Sequence, residues 1–168
     1  MRLKIMLVLS TLALTGSLPT AGQPRGPSCH ISAFYLNGTR LNVHAAPSAS
    51  SRRLRTAGQQ GSPVAEITGQ RGSWFRVSKI TDYEDGTVLF QGDGWVPAAS
   101  LGTSIANADP RLYASPSRQS RPLARLVPDE SRVTLLGCSG SWAQVRFRHQ
   151  TGWLSRGGQC SNPLTTCP

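Results

Sequence analysis

The 168-residue sequence predicts an all-β protein in which one short-stranded module is used twice behind an N-terminal export signal. Three observations lead there. Glycine (17) and proline (12) are plentiful and no long segment repeats its apolar residues at a helical period, which argues against a helical bundle and for short strands joined by tight turns. Apolar residues alternate with polar ones in several short runs, as in strands with one buried face. The order of residue types in the first half also returns in the second half. Charged residues make up 15% and apolar residues 38%, so the formal net charge of +10 does not belong to a disordered basic tail, which would carry more charge and less apolar surface.

Residues 1–22 read as a secretory signal. Arg2 and Lys4 form a positive start, residues 5–14 are an apolar run too short to span a bilayer comfortably, and Thr20-Ala21-Gly22 offers small residues for cleavage. An uncleaved anchor is the alternative reading. Lipid anchoring is disfavoured because Cys29 follows Gly26-Pro27-Ser28 and no apolar residue stands three positions ahead. After residue 22 the chain keeps 16 basic and 8 acidic residues, a net +8, and no other stretch is apolar enough to cross a membrane. The expectation is an exported protein, periplasmic or extracellular, without a membrane span once the signal is cleaved.

The modules are expected at residues 23–102 and 103–168, the second with a cysteine-containing tail. Leu41-Asn42-Val43-His44-Ala45-Ala46-Pro47-Ser48 lines up with Pro110-Arg111-Leu112-Tyr113-Ala114-Ser115-Pro116-Ser117 at an offset of 69. Leu54 then falls on Leu123, Val64 on Val133 and Ile67 on Leu136; after one deletion Trp74 meets Trp142 and Val77 meets Val145. Gly94-Trp95-Val96 matches Gly152-Trp153-Leu154. Strands are expected over residues 64–67 and 133–136, with turns at 69–73 and 138–141. In the next strand Phe75 and Val77 point inward, and Ala143, Val145 and Phe147 do the same in the second copy, so Trp74 and Trp142 share faces with polar and cationic residues. Trp74 and Trp95 are 21 residues apart but Trp142 and Trp153 only 11. The extra residues of the first module contain Asp85-Gly86 between apolar flanks, a two-residue hairpin signal.

All four cysteines, Cys29, Cys138, Cys160 and Cys167, follow the signal, and an even number in an exported chain predicts two disulfides. The favoured pairing is Cys138 with Cys160 and Cys29 with Cys167, which pins the terminal tail; the alternative closes Cys160 and Cys167 around Asn162-Pro163. No pair has CxxC spacing, and no metal or other cofactor is expected.

The sequence Leu41-Asn42-Val43 with Pro47-Ser48, then an apolar strand, then Gly72-Ser73-Trp74-Phe75-Arg76-Val77 and Gly94-Trp95-Val96 resembles the bacterial SH3-like (SH3b) domain family. The second module is similar in Leu112, Ala114, Pro116-Ser117, residues 141–145 and Gly152-Trp153-Leu154, and departs where Pro110-Arg111-Leu112 replaces Leu-Asn-Val. The resemblance spans roughly residues 29–160. It implies a small, strongly bent β-barrel in each module with a long loop after the first strand, and a non-catalytic targeting or binding role, often on peptidoglycan or on proteins.

Signatures of hydrolases and nucleotide enzymes (GxSxG, HExxH, GxxxxGK[ST]) are missing from the sequence, and the carboxylate pairs Glu84-Asp85 and Asp129-Glu130 sit in turn-like contexts, so no enzyme activity is expected. A cryptic enzyme using Cys29 with His44 or His149 is the third-ranked reading. Two features favour binding. Trp74, Trp95, Trp142 and Trp153 are placed to line an outer surface, with His44 and Tyr113 at matching positions entering the long loop; the alternative is that each indole lids its own barrel or fills the contact between modules. Arg52 and Arg121 also match at the same offset, within loops that further hold Arg53, Arg55, Arg118 and Arg125. A recurring cationic loop suits an anionic polymer or an acidic protein, although a solvated basic face is the plainer reading; nothing here reads nucleic-acid bases. The primary expectation is an envelope protein that recognises peptidoglycan or an envelope protein through an aromatic and basic surface. The second is a secreted interaction or inhibitor protein docking on an acidic partner.

Overall fold

The structure is a computed structural model that describes residues 28–36, 41–58, 61–128, 132–165 and 167. The expected signal segment 1–22 and the Asp129-Glu130 pair lie outside the described residues. The described chain is all-β, with the expected two small barrels in tandem. β1 (Ser28–Tyr35) precedes the first set: β2 (Leu41–His44), β3 (Arg53–Ala57), β4 (Pro63–Arg71), β5 (Trp74–Asp82), β6 (Val88–Pro97), a 3-10 turn over Ala98–Ser100, and β7 (Leu101–Ile105). The same order returns as β8 (Arg111–Tyr113), β9 (Pro122–Arg125), β10 (Val133–Ser139), β11 (Trp142–Phe147), β12 (Gln150–Leu154), a 3-10 turn over Arg156–Gly158, and β13 (Gln159–Cys160). No helix among the described residues is long and apolar enough to cross a membrane.

β7 belongs to both modules. It closes the first by pairing with β1 (Phe34 with Gly102, Tyr35 with Leu101), and it opens the second by pairing with β10 (Val133 with Thr103) and β13 (Cys160 with Ser104). The second module thus uses β7 where the first uses β1, and one hydrogen-bonded path runs from β3 through β1, β7 and β10 to β9. The boundary expected between residues 102 and 103 falls inside this strand. The buried residues accordingly form one contiguous cluster, from Leu41, Ile67, Phe75 and Val77 on one side to Leu112, Leu135, Val145 and Leu154 on the other.

Pairing registers settle the repeat residue by residue. Ile67 pairs with Val77 and Leu135 with Val145, while Gly69 pairs with Arg76 and Gly137 with Gln144. Ile67 therefore corresponds to Leu135, not to Leu136 as expected, and Ala65, not Val64, corresponds to Val133. The one-residue deletion lies before β4, because a slip inside the strand would turn its buried face outward. Indeed Ala65, Ile67, Val133 and Leu135 are buried, whereas Val64 and Leu136 are partly exposed.

The expected turns are shorter, and the strands longer, than the sequence suggested. β4 runs on to Arg71, leaving Gly72-Ser73 as the turn, and β10 runs on to Ser139, leaving Gly140-Ser141. Gly72 (φ 56°) and Gly140 (φ 55°) take the left-handed conformation that such a two-residue turn needs and that costs glycine least. The long hairpin differs the other way. Asp82 and Thr87 close a four-residue tip (Asp82 N–H to Thr87 O, 2.8 Å), not the expected two-residue turn at Asp85-Gly86. There the Thr87 N–H donates to Asp85 Oδ1 (2.8 Å) and holds that exposed carboxyl below the usual aspartate range.

The disulfides are Cys29–Cys138 and Cys160–Cys167, which overturns the favoured pairing of Cys138 with Cys160 and Cys29 with Cys167. The start of β1 reaches the β10–β11 turn, with His30 N–H on Gly140 O (2.8 Å) and Gly140 N–H on Ser28 O (2.9 Å). This places Cys29 with its Cα 5.7 Å from that of Cys138, across the two modules. Gln70 joins the same seam: its side-chain N–H groups reach Gly72 O and Leu136 O, and its Oε1 accepts from Cys138 N–H. The Cys160–Cys167 bridge instead closes a short loop of the tail.

One buried carboxylate holds the entry to β8. Asp109 accepts from Tyr113 O–H (3.1 Å) and from Ser155 Oγ (2.6 Å), with Arg118 Nε 3.6 Å away. Removing it strands two buried hydroxyls, each at a desolvation cost of about 1–3 kcal/mol.

Two outcomes follow. By chain entropy, Cys29→Ser with Cys138→Ser lowers the unfolding free energy by about 3–5 kcal/mol and the Cys160, Cys167 pair of substitutions by roughly 2.5 kcal/mol, read from urea unfolding. A larger loss from the tail pair would contradict the seam as the main clamp. Asp109→Ala costs about 2–4 kcal/mol in the same assay, and adding Tyr113→Phe recovers part of that loss; a change within the error of the wild type would show that this network holds nothing.

Candidate functional site

The outer face of each module is set by strand alternation. Phe75, Val77 and Val96 are buried, so Trp74 and Arg76 on β5 and Trp95 on β6 stand on the opposite face. Cross-strand register brings them together: Trp74 opposes Pro97, Arg76 opposes Trp95, and Trp95 opposes His44 on β2. The second module repeats the arrangement, with Gln144 opposing Trp153 and Trp153 opposing Tyr113. All four indoles are partly exposed, so none is a core residue.

The matching positions His44 and Tyr113 meet their tryptophans in the same way. His44 packs edge-to-face on Trp74 with centroids 5.3 Å apart, and Tyr113 does so on Trp142 at 5.5 Å. His44 Nδ1 lies 3.2 Å from Ser51 O; a carbonyl only accepts, so Nδ1 carries the proton in this contact. Tyr113 is buried and its hydroxyl is committed to Asp109.

The two modules have diverged in what their clefts offer. In the first, a cleft of about 400 Å³ is lined by His44, Trp74, Asn42, Ser73, Pro97 and Ala99 among others. Its lining bears no formal charge when His44 is neutral. Ser73 and Ala99 also border a groove of about 400 Å³ between the modules, whose far side carries Leu135, Arg146 and Arg148. In the second module a cleft of about 450 Å³ is lined by Tyr113 and by Arg111, Arg118 and Arg125; Trp142 and Trp153 are not among its lining residues. The indoles therefore do not gather round one common cleft.

The long loops repeat to the level of single hydrogen bonds. Ala45 N–H donates to Arg52 O (2.9 Å) and Ala114 N–H to Arg121 O (3.0 Å); Ser51 N–H reaches Ser48 O and Ser120 N–H reaches Ser117 O, both at 3.1 Å. Arg52 and Arg121 thus sit at equivalent loop bases with exposed side chains, and they line neither module's cleft. Arg76, on the aromatic face, pairs with Asp93 at 2.8 Å. Arg111 and Asp109 were not picked out from sequence. Arg111 gains meaning only from its partner across β8 and β9, and Asp109 only from its burial.

The bacterial SH3 domain family matches residues 39–102 and again residues 108–158. No curated protein matches the chain. Among solved structures the chain is similar to NlpC1 from Trichomonas vaginalis, at 20% identity and a TM-score of 0.30, over 89% of this chain and 50% of that one. The chain spans half the length of that protein. With both matched stretches falling on the two sets of strands and together covering most of the sequence, the chain belongs to the bacterial SH3 domain family, as a tandem of two copies.

Proposed function

We propose that this protein is a non-catalytic binding and targeting protein of the bacterial cell envelope, exported to the periplasm or beyond, and that it holds peptidoglycan against the aromatic cleft of its first module. The observation that carries this reading is the partly exposed Trp74 seated on His44 in an open cleft whose lining holds no arginine, lysine or carboxylate. An indole face beside the polar Asn42 and Ser73 suits a ligand that is apolar on its ring faces and rich in hydroxyl and amide groups at its edges. The adjoining groove between the modules extends that surface, as a polymer would use it. Two disulfides fit an oxidising compartment.

A second reading, docking on an acidic envelope protein, rests on the exposed Arg52, Arg53, Arg55 and Arg121 around the bases of equivalent loops. Salt separates the two, because exposed charges are screened within about 8 Å at physiological ionic strength while stacking is not.

Co-sedimentation of the oxidised protein with purified peptidoglycan is the test. Trp74→Ala is expected to weaken binding about tenfold or more, as loss of an aromatic anchor does, without unfolding the protein. Trp142→Ala weakens it less, since that ring packs on a buried tyrosine outside the first cleft. Absence of sedimentation, or unchanged sedimentation of Trp74→Ala, would rule the cleft out; binding that vanishes in high salt and follows Arg52→Ala with Arg121→Ala would favour the acidic partner.

A further inference from the structure

The register that relates the two modules also shows where they differ in charge. On the first hairpin Asn42 stands opposite Thr56, and Thr56 Oγ1 donates to Asn42 Oδ1 at 2.9 Å. The equivalent pair on the second hairpin is Arg111 opposite Arg125. Ala49, on the first long loop, corresponds to Arg118 on the second, at the same offset of 69 that relates Ser48 to Ser117. Three positions that are neutral in one copy are arginines in the other, and all three arginines line the same cleft of about 450 Å³.

Like charges directly opposite on antiparallel strands destabilise the pair. The first module shows that this hairpin folds with a neutral, mutually hydrogen-bonded pair at the same place, so the arginines are not there for the fold. The carboxylate beside them, Asp109, lies 3.6 Å from Arg118 and already accepts from Tyr113 and Ser155. Three guanidinium groups against one carboxylate leave an excess of two positive charges at the cleft. Guanidinium forks match the oxygens of carboxylate and phosphate alike. Charge separates these ligands: a phosphate monoester carries about −1.5 to −2 at pH 7, and a carboxylate only about −1. Tyr113, Pro122, Leu123 and Ala124 complete the lining with carbon surface that can hold whatever the phosphate esterifies.

We propose that the second module's cleft is a phosphate-monoester site, with Arg111, Arg118 and Arg125 holding the phosphate oxygens. It is distinct from the aromatic cleft of the first module and stands whether or not that cleft holds peptidoglycan.

The test titrates the oxidised, signal-free protein with glycerol phosphate, with acetate as the control, at low salt, followed by NMR shifts of the arginine side chains and of Tyr113. Saturable binding of glycerol phosphate is expected, with acetate much weaker. Arg111→Asn with Arg125→Thr installs the first module's own pair; it is expected to lose about tenfold or more in affinity, the loss expected on removing charge-assisted contacts, while the ligand-free melting temperature is unchanged or higher. Should that variant not fold, Arg118→Ala, which installs the first module's Ala49, reads the same loss. Trp74→Ala is expected to bind glycerol phosphate as the wild type does, so failure of the peptidoglycan reading is seen separately. Retention of a phosphorylated wall preparation, lost on phosphatase treatment, would assign the monoester to a polymer; binding of glycerol phosphate without such retention would assign it to a free ester. No saturation by about 10 mM, equal binding of acetate, or full affinity in a folded variant would overturn the site.

Discussion

β7 is the constraint on which the rest depends. A five-residue strand supplies the closing edge of one barrel and the opening edge of the next, so neither module ends in a row of unpaired backbone groups at their junction. Small β units bury too little surface to be secure alone, and sharing a strand lets two of them use one continuous core. The Cys29–Cys138 bridge and the Gln70 amide then fasten the same seam from the other side, where β1 and β4 meet β10.

With the frame fixed by the core, the outer faces were free to change. Both copies keep an aromatic pair where the long loop meets the central strand, His44 with Trp74 and Tyr113 with Trp142. Around those pairs the copies part. The first presents a cleft free of arginine, lysine and carboxylate beside a partly exposed indole, while the second buries its tyrosine on Asp109 and surrounds it with arginines. One scaffold thus carries two chemically different recesses.

How much of this could be read in advance depended on range. The alternation around Trp74 and Trp142 is local, and it correctly put Phe75, Val77, Ala143 and Val145 inside and the indoles outside. The equivalence of His44 and Tyr113 needed only the repeat. The deletion before β4 was misplaced because Leu135 and Leu136 are adjacent and equally apolar, and only burial tells which faces the core. Cysteine pairing was out of reach, since it depends on where β1 lies against a strand more than a hundred residues away, which no local pattern encodes. The opposition of Arg111 and Arg125 was missed for a related reason: both residues were visible, but their shared rung on the hairpin was not.

The shared strand also gives the two halves unequal standing. All the strands that wall the first barrel, β1 through β7, precede residue 106 in the chain, so it draws no strand from the second. The second barrel borrows β7 and so depends on a strand of its neighbour. The Cys29–Cys138 bridge spans both units, so it can close only when the second one is present.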